Sequence, residues 1–168
     1  TIERNYKIDV DYYVAVDFSS FVDIINALGG LTVEVQEYEA EYINRTTKHT
    51  IEHGPAVKLT GAQALVFARI RKSDADSDVS RTRRQRQVIT SFIESAKGAS
   101  ISQLNDALDM LFKYVKTDLT EMQIISYATQ ALANGWINYD IEQYTLSDEE
   151  IFRAGYVGGT SVVFIDFP

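Results

Sequence analysis

Hydrophobic positions alternate near the start of the chain, and a helical repeat follows them. Residues 12–17 alternate as a half-buried strand does. Ser19 or Ser20 can cap the next helix, and the glycine pair after residue 28 can end it. The apolar positions of that helix share one face: Phe21, Ile24, Ile25 and Leu28. Because residues 31–35 alternate again, the stretch predicts a right-handed, parallel β-α-β crossover.

The rest of the chain predicts mainly helices. Residues 37–53 are polar and mixed, which is typical of a short helix and a loop. Thr60 and Gln63 have the spacing of a capping box, which begins a helix that ends near Arg69 to Lys72. After a loop over 73–80 the pattern predicts a long helix to about Lys97, helices over 102–115 and 121–134, and closing strands over 137–145 and 161–167. This order predicts one α/β domain over residues 1–168.

Composition supports a folded domain. The chain is 45% hydrophobic, so a core can form, and it has no cysteine, which excludes disulfides and thiolate metal sites. No apolar run reaches the ~18 residues that span a bilayer, and no signal peptide opens the chain. Because the chain starts at Thr1 rather than at Met, we expect a fragment or a processed chain, either soluble or anchored upstream.

The distribution of charge indicates a compact anionic ligand. The net charge is −8, yet residues 69–86 carry seven basic side chains and three aspartates, a local charge of +4 that leaves −12 for the remainder. Binding of duplex nucleic acid in general needs a broad basic face. A chain that is acidic elsewhere and concentrates arginine in one segment is therefore expected to bind a small anion.

The helical phase separates the arginines of this segment into two groups. At 100° per residue, Arg81, Arg84 and Gln85 fall within about 60° of one direction. They continue an apolar stripe made of Val88, Phe92 and Ala96. Arg83 and Arg86 fall on the opposite, solvated side. Charged residues are rarely buried without a partner, so the first group predicts an anion close by.

Two anions could satisfy the converging arginines. Arg69 and Arg71 come from the end of the preceding helix, and the loop can bring them to the same place. Two cations ~6 Å apart repel by about 2.8 kcal/mol at an effective dielectric constant of 20. The loop aspartates could offset this repulsion, or a phosphate held by guanidinium groups could do so. The apolar stripe beneath the arginines favours a phosphate that carries a lipid.

Three short motifs are weak indications of a metal or phosphate site. Residues 49–53 read H-x-x-E-H, but β-branched residues and the following Gly-Pro disfavour the helix that a zinc site requires. Residues 74–78 begin like a calcium loop without its turn glycine or bidentate glutamate, which leaves a loosely bound divalent cation or an ordering of the nearby arginines as alternatives. Residues 155–161 lack the lysine and spacing of a phosphate loop and predict a turn before the last strand.

Four segments in one order resemble the LytR-CpsA-Psr family. They are residues 13–18 (YVAVDF), 27–33 (ALGGLTV), 59–71 (LTGAQALVFARIR) and 78–85 (DVSRTRRQ). The resemblance covers about residues 8–97 and implies a layered α/β/α sandwich with a mixed sheet. The family's first half, with its membrane helix and magnesium-binding aspartates, does not match any part of these residues.

The resemblance implies roles for individual residues. Arg69, Arg71, Arg81 and Gln85 match the positions that contact pyrophosphate, with a weaker match for Arg84. Asp78 matches the acidic residue of the loop, so Asp78 and Arg81 are the candidate catalytic residues. Magnesium is the implied cofactor, with its ligands expected upstream of Thr1, and activity of this chain alone is therefore not expected.

The family's activity implies partners and a location. Such proteins move teichoic-acid or capsule-type polymers from a polyprenyl-pyrophosphate carrier to peptidoglycan, outside the membrane to which they are anchored. The implied partners are the lipid-linked polymer, peptidoglycan and the membrane surface, and not nucleic acid. Two alternatives stay open: a regulatory protein that uses the arginine helix to bind nucleic acid, and a non-catalytic module that binds lipid phosphate.

Overall fold

The computed structural model describes residues 2–71, 77–143 and 152–165 of the chain. The helices in these ranges are α1 (Ile2–Tyr6), α2 (Phe18–Ala27), α3 (Glu37–Thr47), α4 (Gly61–Arg69), α5 (Ser77–Lys97), α6 (Ile101–Tyr114) and α7 (Glu121–Ala133). The strands are β1 (Val14–Ala15), β2 (Leu31–Val35), β3 (Gly54–Leu59), β4 (Lys116–Thr117), β5 (Phe152–Val157) and β6 (Thr160–Ile165). The chain divides into two compact units, Val14–Tyr139 and the two terminal segments, Thr1–Tyr13 with Asp140–Pro168. The expectation of one domain stays a prediction.

The terminal unit contains an antiparallel hairpin of β5 and β6. Gly158 and Gly159 form its turn with φ values of 56° and 82°, a region that favours glycine. The strand predicted over 161–167 is thus confirmed in its described part as β6, and the predicted turn before it is confirmed at Gly158 and Gly159. Strand β5 was missed, and its last residues were assigned to that turn. The strand predicted over 137–145 is wrong in its first part, because Trp136–Asn138 form a 3-10 helix and residues 139–143 have no regular structure. Residues 144 and 145 lie outside the described ranges.

The larger unit is built on an antiparallel strand pair. In the register of β2 and β3, Leu31 lies opposite Leu59 and Val33 opposite Val57, and the apolar residues of β2 alternate inward. The predicted parallel crossover is therefore wrong: β2 pairs with β3, and β1 pairs in antiparallel fashion with β4. The pattern of β2 defines its buried face but not its partner, and β3 was missed because Pro55 and Lys58 interrupt its alternation.

The core lies where α2, α3, α4 and α5 pack against β2 and β3. Its buried apolar residues are Ile25, Leu31, Val33, Val35, Ala40, Ile43, Leu59, Ala64, Phe67, Ile70 and Val88. The mixture of helices and strands confirms the α/β class, and the described strands form three two-stranded antiparallel pairs. No helix within the described ranges is both long enough and apolar enough to cross a bilayer.

Helix starts follow local rules, with one correction. Thr60 and Gln63 form the predicted capping box of α4, in which the Thr60 amide donates to Gln63 Oε1 at 2.9 Å. For α2 the cap is Asp17, and not Ser19 or Ser20, which instead donate hydrogen bonds to Asp17. The Ser20 backbone amide, and then the two serine hydroxyls, lower the pKa of Asp17 from 3.8 to about 2. This cap therefore stabilises α2 above pH ~4 and is lost as the pH falls through about 2.

Helices α2 and α4 pack closely and antiparallel. The Gly61 amide donates to Asn26 Oδ1 at 2.8 Å, so the end of α2 lies beside the start of α4. A Cβ atom on Gly61 would lie 2.2 Å from the Val22 carbonyl oxygen. Only glycine allows this approach, because the obstacle is backbone that cannot rotate away.

We expect Gly61→Ala to lower the free energy of unfolding by about 1–3 kcal/mol or more, as overpacking does. Gly98→Ala is the matched control, because its Cβ atom would meet nothing closer than Glu94 O at 3.8 Å. Urea unfolding of both variants tests this. Equal stability of the two variants would mean that the helices can separate without cost.

Candidate anion-binding site

Arg84 lies in the protein interior and joins two helices. Its side chain is completely buried. One terminal nitrogen, Nη2, donates to the carbonyl oxygen of Ile70 at 2.8 Å. Ile70 is the residue directly after α4. The other, Nη1, donates to Glu39 at 3.0 Å and to the Tyr38 hydroxyl at 3.3 Å. The inward direction predicted for Arg84 is confirmed, but its surroundings are protein atoms.

Glu39 is the anion that sequence reasoning missed. Its buried carboxylate accepts hydrogen bonds at Oε1 from Arg83 at 2.5 Å, from Arg84 at 3.0 Å and from Tyr38 at 3.1 Å. Its second oxygen accepts from the Gln36 amide at 2.9 Å and so caps α3. The sequence contained a signal for this pair. Glu39 lies four residues before Ile43, on the apolar face of the helix, and a carboxylate buried there requires a cation as its partner.

The burial of α5 shows where the helical-phase argument was inaccurate. Arg84, Val88 and Ser91 form the buried centre of its inner face, and Gln85 is exposed rather than inward. Arg83 was placed on the solvated side, yet its side chain is only 38% exposed and shares the Glu39 carboxylate. The inner face is therefore centred about one position earlier than predicted.

Two serine side chains attach α5 to the start of β2. The Thr32 amide donates to Ser91 Oγ at 2.9 Å, and Ser95 Oγ donates to the Gly30 carbonyl oxygen at 3.3 Å. Val88 adds apolar packing in the core. Because these contacts fix the middle of the helix and Arg84 fixes its beginning, the first turns of α5 are held beside the end of α4.

The basic residues at the end of α4 face solvent. Arg69 is the last residue of α4, and its Cζ atom lies over the Phe18 ring, 4.3 Å from the ring centroid. Arg71 is exposed as well. Arg69 and Arg71 flank Ile70, the residue that Arg84 binds, so the two predicted basic segments meet at this carbonyl group.

The remaining predicted residues lie at the beginning of α5. Arg81 is half-buried, one turn before Gln85. Because α5 begins at Ser77, Asp78 belongs to its first turn and not to the loop predicted over 73–80. The Asp78 side chain and residues 72–76 lie outside the described parts of the chain. Convergence of Arg69, Arg71, Arg81 and Gln85 on one ligand stays a prediction.

The electrostatics of this corner favour an anion. Among the described side chains, two guanidinium groups, those of Arg83 and Arg84, share one buried carboxylate, that of Glu39. The exposed guanidinium groups of Arg69 and Arg71 add further positive charge, and the first turn of α5 contributes the positive end of a helix dipole. Planar guanidinium groups that bind two oxygens at once are suited to phosphate.

A separate cleft in the larger unit has the opposite charge. Its volume is about 520 Å³, and its lining residues are Asp23, Asn26, Ala27, Asp106, Asp109, Met110 and Tyr114. Three carboxylates would repel a pyrophosphate. The arginine corner, and not this cleft, is therefore the candidate anion site.

The described part of the chain contains no group of three histidine, aspartate or glutamate side chains that could hold a metal ion. Residues 49–53 follow α3 without helical structure, so the H-x-x-E-H spacing does not place its histidines on one helix face.

Comparison with known proteins places the chain in a family. The family model described as LytR_cpsA_psr matches residues 1–166. The chain belongs to the LytR-CpsA-Psr family, as its sequence motifs indicated.

Relatives and solved structures agree with this assignment. The chain is 40% identical over 128 residues to the polyisoprenyl-teichoic acid–peptidoglycan teichoic acid transferase TagU of Bacillus mycoides, a match that covers 74% of the chain and 39% of the relative. The crystal structure of B. subtilis TagT is similar with a TM-score of 0.71 and 25% identity, over 99% of this chain and 59% of that chain. A structure of TagT bound to LIIa-WTA is similar with a TM-score of 0.73 and 26% identity, over 100% of this chain and 59% of that chain. The chain thus spans about two fifths of the length of the curated relatives it matches.

We expect Glu39→Gln to lower the free energy of unfolding by about 3–5 kcal/mol, because it removes the charge of a buried pair and leaves that of Arg84. The double variant Glu39→Met with Arg84→Met should recover most of this loss. Glu94→Gln is the control, since it breaks the exposed Glu94–Lys97 pair and should cost about 0–1 kcal/mol. Chemical unfolding measures all three, and equal losses for the two single glutamine variants would contradict the buried-pair argument.

Proposed function

We propose that this chain is part of a transferase that moves a polyprenyl-pyrophosphate-linked glycopolymer of the teichoic-acid or capsule type onto peptidoglycan. The observation that carries the proposal is the contact between Arg84 and the Ile70 carbonyl oxygen, at 2.8 Å. This contact holds the basic end of α4 against the basic start of α5. The chain belongs to the LytR-CpsA-Psr family, and its relatives are named teichoic acid transferases.

The proposed reaction is a phosphoryl transfer to a sugar hydroxyl group. The hydroxyl oxygen forms a bond to the phosphorus atom that carries the polymer, the bridging P–O bond breaks, and polyprenyl phosphate leaves. Arg69, Arg71, Arg81 and Gln85 bind the pyrophosphate, and the arginines neutralise the charge that the leaving group gains. Asp78 accepts the proton of the attacking hydroxyl group.

Arg84 takes a different part in this proposal from the one its sequence position implied. A completely buried guanidinium group that binds Glu39 and Ile70 holds the site in place rather than contacting the ligand. Arg83 shares the Glu39 carboxylate and retains partial exposure at 38%. In this proposal the pyrophosphate ligands are therefore Arg69 and Arg71, at and after the end of α4, together with Arg81 and Gln85 of α5.

Magnesium is part of the proposal through the family resemblance alone. It would neutralise pyrophosphate charge, with ligands from the part of the family's domain that precedes the segments matched here. We derive no step through it from the described residues, which contain no cluster of three potential ligands. The extracytoplasmic location, the membrane anchor and the peptidoglycan acceptor are likewise proposals, supported by the names of relatives.

Nucleic-acid binding by α5 is disfavoured. A recognition helix must present its basic residues outward to a groove. Here Arg84 is buried and Arg83 is bound to Glu39. The acidic net charge of −8 adds long-range repulsion from a phosphate backbone. The non-catalytic alternative, a module that binds lipid phosphate, differs from the transferase in turnover and not in ligand.

We expect Arg81→Lys to weaken binding of a lipid pyrophosphate nearly as much as Arg81→Ala, by about tenfold or more. Lysine keeps the charge but loses the fork that binds two oxygens, and a charged hydrogen bond contributes about 1.5–3 kcal/mol. Calorimetric titration at fixed ionic strength measures both variants. Arg45→Ala, which removes an exposed cation of α3, is the control for net charge. Wild-type affinity in the Arg81→Lys variant would show that charge alone matters.

We also expect the chain of residues 1–168 to bind its ligand weakly and not to catalyse transfer, because the resemblance places the magnesium-binding aspartates elsewhere. The assay combines the purified chain with a lipid-pyrophosphate-linked sugar, magnesium and a peptidoglycan acceptor. It is run with and without the preceding segment of a family member as a separate polypeptide. Turnover by the chain alone would show that Asp78 and the arginines suffice.

A further inference from the structure

We propose that Phe18 is a positioning residue that fixes the guanidinium group of Arg69 for pyrophosphate binding. The proposal rests on the proposed function, since it assumes that Arg69 binds a phosphate oxygen. Phe18 does not match any pyrophosphate-contacting position in the sequence, and its role follows from the geometry of the folded chain.

Phe18 lies at the protein surface, where its ring faces a cation. The residue is 57% exposed. Its neighbour is the Arg69 guanidinium group, whose Cζ atom lies over the ring at 4.3 Å from the centroid. This distance is well within the ~6 Å range of cation–π attraction. The ring thus serves as a platform for Arg69 at the surface.

The platform itself is held firmly. Phe18 is the first residue of α2, directly after the capping residue Asp17, which accepts from the Ser20 amide at 2.9 Å. At the other end of the helix pair, Gly61 binds Asn26. The start of α2 lies beside Arg69, the last residue of α4, so the two contacts hold the helix pair at both ends.

Stacking on a ring leaves the binding capacity of an arginine intact. The aromatic ring takes the face of the planar guanidinium group, whereas its N–H donors point outward along the edges. An exposed arginine otherwise moves among many rotamers, and binding must restrict them. A guanidinium group that is already oriented loses less freedom when it binds an anion, so Phe18 raises affinity without touching the ligand.

The first experiment measures binding of inorganic pyrophosphate to the full chain. We expect Phe18→Leu to weaken binding about two- to fivefold, the effect of losing an exposed cation–π contact. Phe18→Tyr keeps an aromatic face and should stay within about twofold of wild type. Tyr42→Leu is the matched control, because it removes the ring beneath a different arginine, Arg45, at 5.4 Å. Wild-type affinity in Phe18→Leu would overturn the proposal.

A double-variant comparison separates positioning from direct contact. In an Arg69→Ala background, Phe18→Leu should have no further effect, because the group that it positions is gone. The same loss in that background would mean that the ring contacts the ligand itself. A loss seen with polyprenyl pyrophosphate but not with inorganic pyrophosphate would mean that the ring binds the lipid. Either result would overturn the proposal.

A measurement without ligand tests the positioning role of Phe18 independently of the proposed function. The ¹H–¹⁵N order parameter of Arg69 Nε should fall in Phe18→Leu and be retained in Phe18→Tyr. An unchanged order parameter in Phe18→Leu would overturn the positioning role even if pyrophosphate binds well. Conversely, if wild type binds no pyrophosphate, the proposed function fails, while the order parameters still decide whether Phe18 fixes Arg69.

Discussion

Glu39 and Arg84 form a buried ion pair on which the geometry of the candidate site depends. Both side chains are completely buried, and their charged atoms lie 3.0 Å apart. A charge in a protein interior costs several kcal/mol unless a partner and further hydrogen bonds neutralise it. Arg84 also binds the carbonyl group of Ile70, so α3, the end of α4 and the start of α5 cannot move apart without breaking the ion pair or this hydrogen bond. The basic surface therefore lies over a buried ion pair that links three helices.

Burial divides the arginines of this region into two kinds. Arg84 is enclosed and binds protein groups, whereas Arg69 and Arg71 are exposed and available to a ligand. Arg69 and Arg71 precede and follow Ile70, whose carbonyl group Arg84 binds. The buried arginine therefore fixes the backbone from which the two exposed side chains extend. Arg69 is further oriented by the Phe18 ring. Relatives of this chain are named polyisoprenyl-teichoic acid–peptidoglycan teichoic acid transferases, and the proposed ligand of this surface is the pyrophosphate of such a lipid-linked polymer.

Local interactions made much of the fold predictable. The start of α4 follows from its capping box at Thr60, and the end of α2 from the glycines after it, because both signals act within a few residues. The pairing of strands was not predictable in the same way. The alternation of β2 shows which side chains are buried, but its antiparallel partner β3 lies some twenty residues away and has a weak pattern of its own.

The sequence by itself determined the family, most of the helices and the concentration of arginine between residues 69 and 86, because motifs, caps and charge are properties of the local chain. Only the tertiary structure decided what Arg84 and Arg69 contact. It supplied the partner of Arg84 from α3, 45 residues away along the chain, and it placed Phe18 beneath Arg69. Contacts at such separations depend on how elements pack, and a one-position shift in helical phase is enough to expose Gln85 and to bring Arg83 to Glu39.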